Sequence, residues 1–157
     1  MTHCINITAK ASEATGLQIE FMTGPSQPFL AKSIEKSLSA ASNNEGRKIA
    51  GLNVVLGNDE YLKQLNNDFR GYDEPTDVLA FDLGDETSES VEGEIYISLD
   101  RAAVQAGERG ESASREAVRL AVHGFLHLCG WDHDDEASLK NMVERGEEYI
   151  VDLQEGS

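Results

Sequence analysis

The sequence predicts an α+β fold: a single domain over residues 1–157, with a small mixed β-sheet, helices packed on it, and a metal site on a buried helix and the loop after it. A length of 157 residues supports one hydrophobic core and is short for two domains with a linker. A composition of 39% hydrophobic and 27% charged residues with 3 prolines is that of a globular chain. Short runs of β-branched and aromatic residues alternate with segments of helical apolar spacing, which gives the fold class. Leu17 to Thr23 and Lys48 to Leu56 read as strands. Between them Pro28 to Asn43 reads as a helix with Phe29, Ile34 and Leu38 near one face, stopped by Asn43, Asn44 and Gly46. Asn58 or Asp59 caps a short helix that turns Tyr61, Leu62 and Leu65 inward and ends near Phe69. Asp77 to Phe81 and Glu94 to Ser98 are two further strands across an acidic loop from Asp82 to Gly93, and Asp100 caps a helix running to Gly107 or Gly110. Ser114 to Cys129 is apolar almost all round, which predicts a buried helix. After a loop, Asp134 or Asp135 opens a last helix through Leu153.

No apolar run approaches the roughly 18 to 20 residues that cross a bilayer, and the opening MTHCINITAK lacks the basic-then-apolar pattern of a secretory signal. No membrane partner is expected. The two cysteines, Cys4 and Cys129, do not make a disulfide framework, so a reducing cytoplasm is the expected location. The formal net charge of −16 disfavours nucleic acid at first sight. Ten acids and no Lys or Arg fall between Gly71 and Asp100, however, so a local basic patch remains open.

Three of the four histidines stand within eleven residues: His123, His127 and His133. Positions four apart on a helix differ by only about 40°, so His123 and His127 project from one face, a turn apart. Gly130 lets the chain reverse after the helix and bring His133 back toward the pair. Three imidazoles around one Zn2+ leave a fourth tetrahedral position for water, as catalytic zinc sites do. Cys129 lies about 200° around the helix from His127 and is expected to pack in the core. His3 has no partner motif. Metzincin proteases share the H-x3-H spacing but carry a Glu base after the first His; here that residue is Gly124, and only Glu116 or a loop acid offers a substitute.

Arg70 precedes Pro75 and the strand from Asp77, which places it on a loop held at both ends. Its guanidinium either holds a phosphate bidentately or pairs with Asp73 or Asp77. Arg115, Arg119, His123 and His127 form one i, i+4 stripe, with the arginines either lining a path for a phosphate backbone or pairing with Glu111, Glu116 or acids elsewhere. Trp131 is either packing beside a turn or a stacking platform for a base.

Together these segments resemble the YbeY family of metal-dependent endoribonucleases that mature ribosomal RNA. The signature H-G-x-L-H-L-x-G-[YW]-D-H is matched from His123 to His133, and an upstream N-x-x-x-R-G followed by P-T-D-V-L-S-F is matched at Asn66, Arg70, Gly71, Pro75, Thr76, Asp77, Val78, Leu79 and Phe81. The resemblance runs from about Asn53 to Leu153. Ala80 stands where the family commonly has Ser, Glu94 where Asp is common, and Arg119 where a His often precedes the first ligand by one turn. The resemblance implies one Zn2+ on His123, His127 and His133, with Arg70 and His123 acting on the scissile phosphate. It further implies single-stranded RNA as substrate, maturation of the small-subunit rRNA 3′ end, ribosome quality control, and the ribosome or its assembly factors as partners. The alternatives are a non-catalytic ribosome-assembly module with a structural zinc, and a general metallohydrolase or protease.

Overall fold

Residues 8–10, 16–71, 76–84, 89–131 and 135–153 are described by a computed structural model. Among them the chain forms strands β1 (Thr8–Lys10), β2 (Leu17–Phe21), β3 (Lys48–Gly57), β4 (Val78–Asp82) and β5 (Ser90–Ser98). The helices are α1 (Pro28–Glu45), α2 (Asp59–Arg70), α3 (Leu99–Arg109), α4 (Ala113–Leu128) and α5 (Glu136–Tyr149). The strands make one mixed sheet in the order β1-β2-β3-β5-β4. β2, β3 and β5 are parallel, while β1 and β4 close the two edges antiparallel to their neighbours. The α+β architecture expected from the sequence is the one observed.

Strand alternation gives the sheet two apolar faces. Ile19, Val54, Ile95 and Ile97 join Ile34 and Leu38 of α1 and Val118, Ala121 and Phe125 of α4 in the main core. The opposite face carries Val55, Leu79 and Tyr96 beneath Leu62 and Leu65 of α2, a smaller second core. α4 is the hub of the fold, packing on α1, α3, α5, β4 and β5.

Several boundaries differ from the sequence reading. β1 is three residues long, too short for any periodicity to announce it. The acidic loop ends earlier than Gly93, because β5 begins at Ser90. Glu92 and Glu94 alternate there with buried Val91 and Ile95, so the run of acids concealed a period of two. In α1 the buried face runs through Leu30, Ile34, Leu38 and Ala41, whereas Phe29 is 44% exposed. Asn43 and Asn44 stay helical, and Gly46 caps the helix. α3 is capped by Ser98, whose Oγ accepts the Arg101 N–H at 3.1 Å. Asp100, the expected cap, instead accepts the Asp59 N–H at 2.8 Å and so covers the start of α2. α5 is capped by Asp135 and stops at Tyr149; beyond it the Val151 and Leu153 N–H groups each bond a serine of α1, Ser37 and Ser33, at 2.8 Å.

Candidate active site

The described part of the candidate site is built around β4. Because β4 is an edge strand, side chains from both faces of the sheet can meet beside it. α4 supplies His123 and His127 from the main-core side, and α2, on the other face, supplies Arg70 from its last turn. All three line one cleft of about 630 Å³ whose remaining wall is Asp77 to Phe81 with Gly124. Arg70 is thus the terminal helical residue of α2, capped by Gly71, rather than a loop residue. Its side chain is exposed and lines the cleft. The sequence placed it on a loop because the Gly after it was read as part of the turn and not as a helix cap.

Gly124 explains why the metzincin base is missing. A Cβ there would stand 2.9 Å from Ile95 Cγ2, so α4 approaches β5 closely at this position. A glutamate would be driven into the sheet. The other acid weighed as a base, Glu116, is 1% exposed and held by Arg119 and Arg109. Neither position presents a carboxylate to the cleft for peptide hydrolysis.

The end of α4 is organised as expected. Cys129 N–H bonds the Phe125 carbonyl at 3.0 Å, Gly130 follows at φ 106°, and the Trp131 N–H closes back on Leu126 O at 3.1 Å. Only glycine adopts that backbone region without strain. Cys129 packs against the main core, and burial pushes its thiol up to about 12, so it is protonated at neutral pH. Trp131 also packs against the core; its indole donates to Glu45 Oε1 at 3.0 Å and Arg145 lies 5.5 Å from the ring centroid. Glu45 also accepts the Tyr149 hydroxyl at 2.5 Å, and Arg47 donates to the Cys129 carbonyl at 2.8 Å. Trp131 is therefore a strut between α1 and α5, and the base-stacking alternative is set aside. His133, Pro75, Asp73, His3 and Cys4 lie outside the described residues.

The basic stripe on α4 is divided. Arg119 donates to Glu147 at 2.6 Å and 3.0 Å, to Glu111 at 2.7 Å and 3.2 Å, and to Glu116. Its Glu147 bonds, foremost, hold its guanidinium charged. The same bonds hold the Glu147 and Glu111 carboxyls below the usual range. Arg115 stands 3.8 Å from Glu111. The two arginines thus follow the ion-pair alternative rather than that of a phosphate path. Glu147 is the partner that sequence reasoning missed, since it comes from α5, 28 residues away.

As for metal chemistry, His123 and His127 fit a zinc site in donor type and in facing one cleft a helical turn apart. Among the described residues no group of three metal-ligating side chains gathers, and His133 lies outside them.

An edge-strand cleft with two histidines from a buried helix opposite an arginine defines the chain as an α+β protein with a histidine-based candidate hydrolytic centre. The family model described as Endoribonuclease YbeY matches residues 19–154. Endoribonuclease YbeY of Synechocystis sp. is 42% identical over 88% of this chain and 80% of its own length, and that of Carboxydothermus hydrogenoformans is 42% identical over 76% and 83%. Endoribonuclease YbeY of Synechococcus sp. strain JA-3-3Ab is 45% identical over 66% and 69%. The solution structure of a Thermotoga maritima protein matches with a TM-score of 0.60 and 31% identity, covering 83% of this chain and 85% of that one. The chain belongs to the YbeY endoribonuclease family.

Proposed function

We propose that the protein is a zinc-dependent endoribonuclease that cleaves single-stranded RNA in maturing the 3′ end of small-subunit rRNA and in ribosome quality control. It acts in the cytoplasm with the ribosome or its assembly factors as partners. Family membership supports the RNA substrate, and among the described residues no helix is long and apolar enough to cross a membrane. The observation that carries the reading is the cleft over β4, which is lined by the imidazoles of α4 and by the exposed Arg70 of α2.

In this reading His123, His127 and His133 would hold one Zn2+. Zinc at such a site supplies Lewis acidity and lowers the pKa of a coordinated water. The chain's own residues do the rest. Arg70 presents a planar fork of N–H donors to a phosphodiester, orients it bidentately, and stabilises the negative charge that builds on its oxygens. β4 keeps Arg70 and the histidines on opposite sides of the bound chain. Gly124 draws α4 against β5, fixing how far the imidazoles reach into the cleft.

Cleavage of a single-stranded RNA by the zinc-loaded protein and by Arg70→Ala tests this. The variant is expected to keep its metal and lose about 10²- to 10³-fold in rate. A metal-loaded parent that cuts no RNA, or an Arg70→Ala variant that cuts as fast, contradicts the proposal. Because phosphate contacts in so acidic a protein must be local, cleavage is also expected to fall as salt rises.

A further inference from the structure

The cleft over β4 does not end at His123. A second cavity of about 190 Å³ shares Asp77, Val78 and His123 with it and continues along α4 past Leu120, Arg119 and Glu116. The seven steps of helix from Glu116 to His123 span about 10 Å, within reach of one nucleotide whose phosphate lies in the main cleft. Apolar side chains from three elements line the cavity, Val78 of β4, Leu120 of α4, and Met142 and Val143 of α5, a lining that suits a flat ring.

Its polar groups are not uniform. Glu147 is occupied by Arg119, and Glu116 by Arg119 and by Arg109 Nε at 3.3 Å, a pairing that involves none of the terminal N–H donors of Arg109. The remaining edge comes from Asp77, Gln105 and Arg109 in that order: Gln105 Nε2 donates to Asp77 Oδ2 at 3.1 Å, and Arg109 stands one turn further along α3. With its amide nitrogen turned to Asp77, Gln105 offers its carbonyl oxygen as an acceptor. The edge therefore reads acceptor, acceptor, donor, because a carboxylate only accepts and a guanidinium only donates. Guanine carries the complementary sequence on its Watson–Crick edge: the 2-amino group and N1–H donate, and O6 accepts. Adenine has no donor at N1, and uracil offers one N–H between two carbonyls.

We propose that this cavity is a base-specificity subsite that takes a guanine flanking the scissile phosphate, with Asp77, Gln105 and Arg109 as its readers. The proposal rests on the nuclease reading for the RNA substrate, whereas the pocket itself is tested without any cleavage. Equilibrium dialysis of guanosine and uridine 5′-monophosphates against the zinc-loaded full chain is expected to show guanosine bound about tenfold more tightly or better. Gln105→Leu removes the central acceptor, and Val143→Trp fills the cavity from its exposed rim; each is expected to abolish the difference while thermal melting and zinc content stay at parental values. In parallel, an RNA pool randomised in its single-stranded segment is expected to be cut with guanine enriched at one position beside the break, and evenly by Val143→Trp. Equal or undetectable binding of both nucleotides, or a preference unchanged in both variants, overturns the subsite. RNA left uncut while guanosine binding behaves as described overturns the nuclease reading and leaves the pocket assignment standing.

Discussion

The two halves of α4 carry basic side chains on the same stripe, and their surroundings give them opposite roles. Arg119, 11% exposed, is enclosed by Glu111, Glu116 and Glu147 and ties α4 to α5. One turn on, His123 and then His127 line the cleft shared with Arg70. Spacing along a helix sets which residues share a face; what packs on that face decides whether a basic side chain is enclosed or lines a cleft. Here α5 supplies Glu147 to the first half, and the open edge of β4 leaves the second half accessible.

This comparison is broken most strongly at its open end. His123→Ala and His127→Ala are each expected to reduce RNA cleavage by about 10³-fold or more, with loss of bound zinc, as removal of a metal ligand deprives the site of its central charge. Cleavage rate and metal content of the purified variants check this. At the closed end, Arg119→Met leaves the buried Glu116 carboxylate with Arg109 as its remaining ion-pair partner and is expected to cost about 1 to 3 kcal/mol of stability, read from denaturant melts. If Arg119 instead served as an RNA contact, the variant would melt normally and bind RNA weakly.

Between the two ends, Gly124→Ala sharpens the picture by pressing a Cβ on Ile95. Overpacking of this kind is expected to cost about 1 to 3 kcal/mol, and roughly 2 to 4 °C of melting temperature for each kcal/mol in a domain of this size. The smallest effect is that of pH. Arg119 holds the Glu147 and Glu111 carboxyls below their ordinary value of 4.5, so their contribution to stability is complete above that pH and is lost as the pH falls through the folded-state value. Melting temperature is expected to drop on acidification below about pH 4.5, more steeply for the parent than for Arg119→Met.

Much of the fold was legible because apolar spacing survives locally. Ile34, Leu38, Phe125 and Val54 occupy the main core, and Val55 the second core on the other face of the sheet. What was not legible depended on partners distant in sequence. Asp100 looked like a cap for its own helix and instead accepts the first N–H of α2, at Asp59, beside the Asn58 cap, a pairing that only the tertiary arrangement makes. Arg119 looked available until α5 delivered Glu147. For the site, the His123 and His127 spacing and Arg70 were visible as residues. Their meeting over β4 was not, because it follows from β4 being an edge strand with helices on either side.

The central claim, that His123, His127 and His133 share one zinc, is tested most directly by metal analysis of the purified chain alongside its three single His→Ala variants. One zinc per parent chain and a marked loss in each of the three variants is the expected result. A parent without zinc, or a His133→Ala variant that retains it in full, contradicts the account.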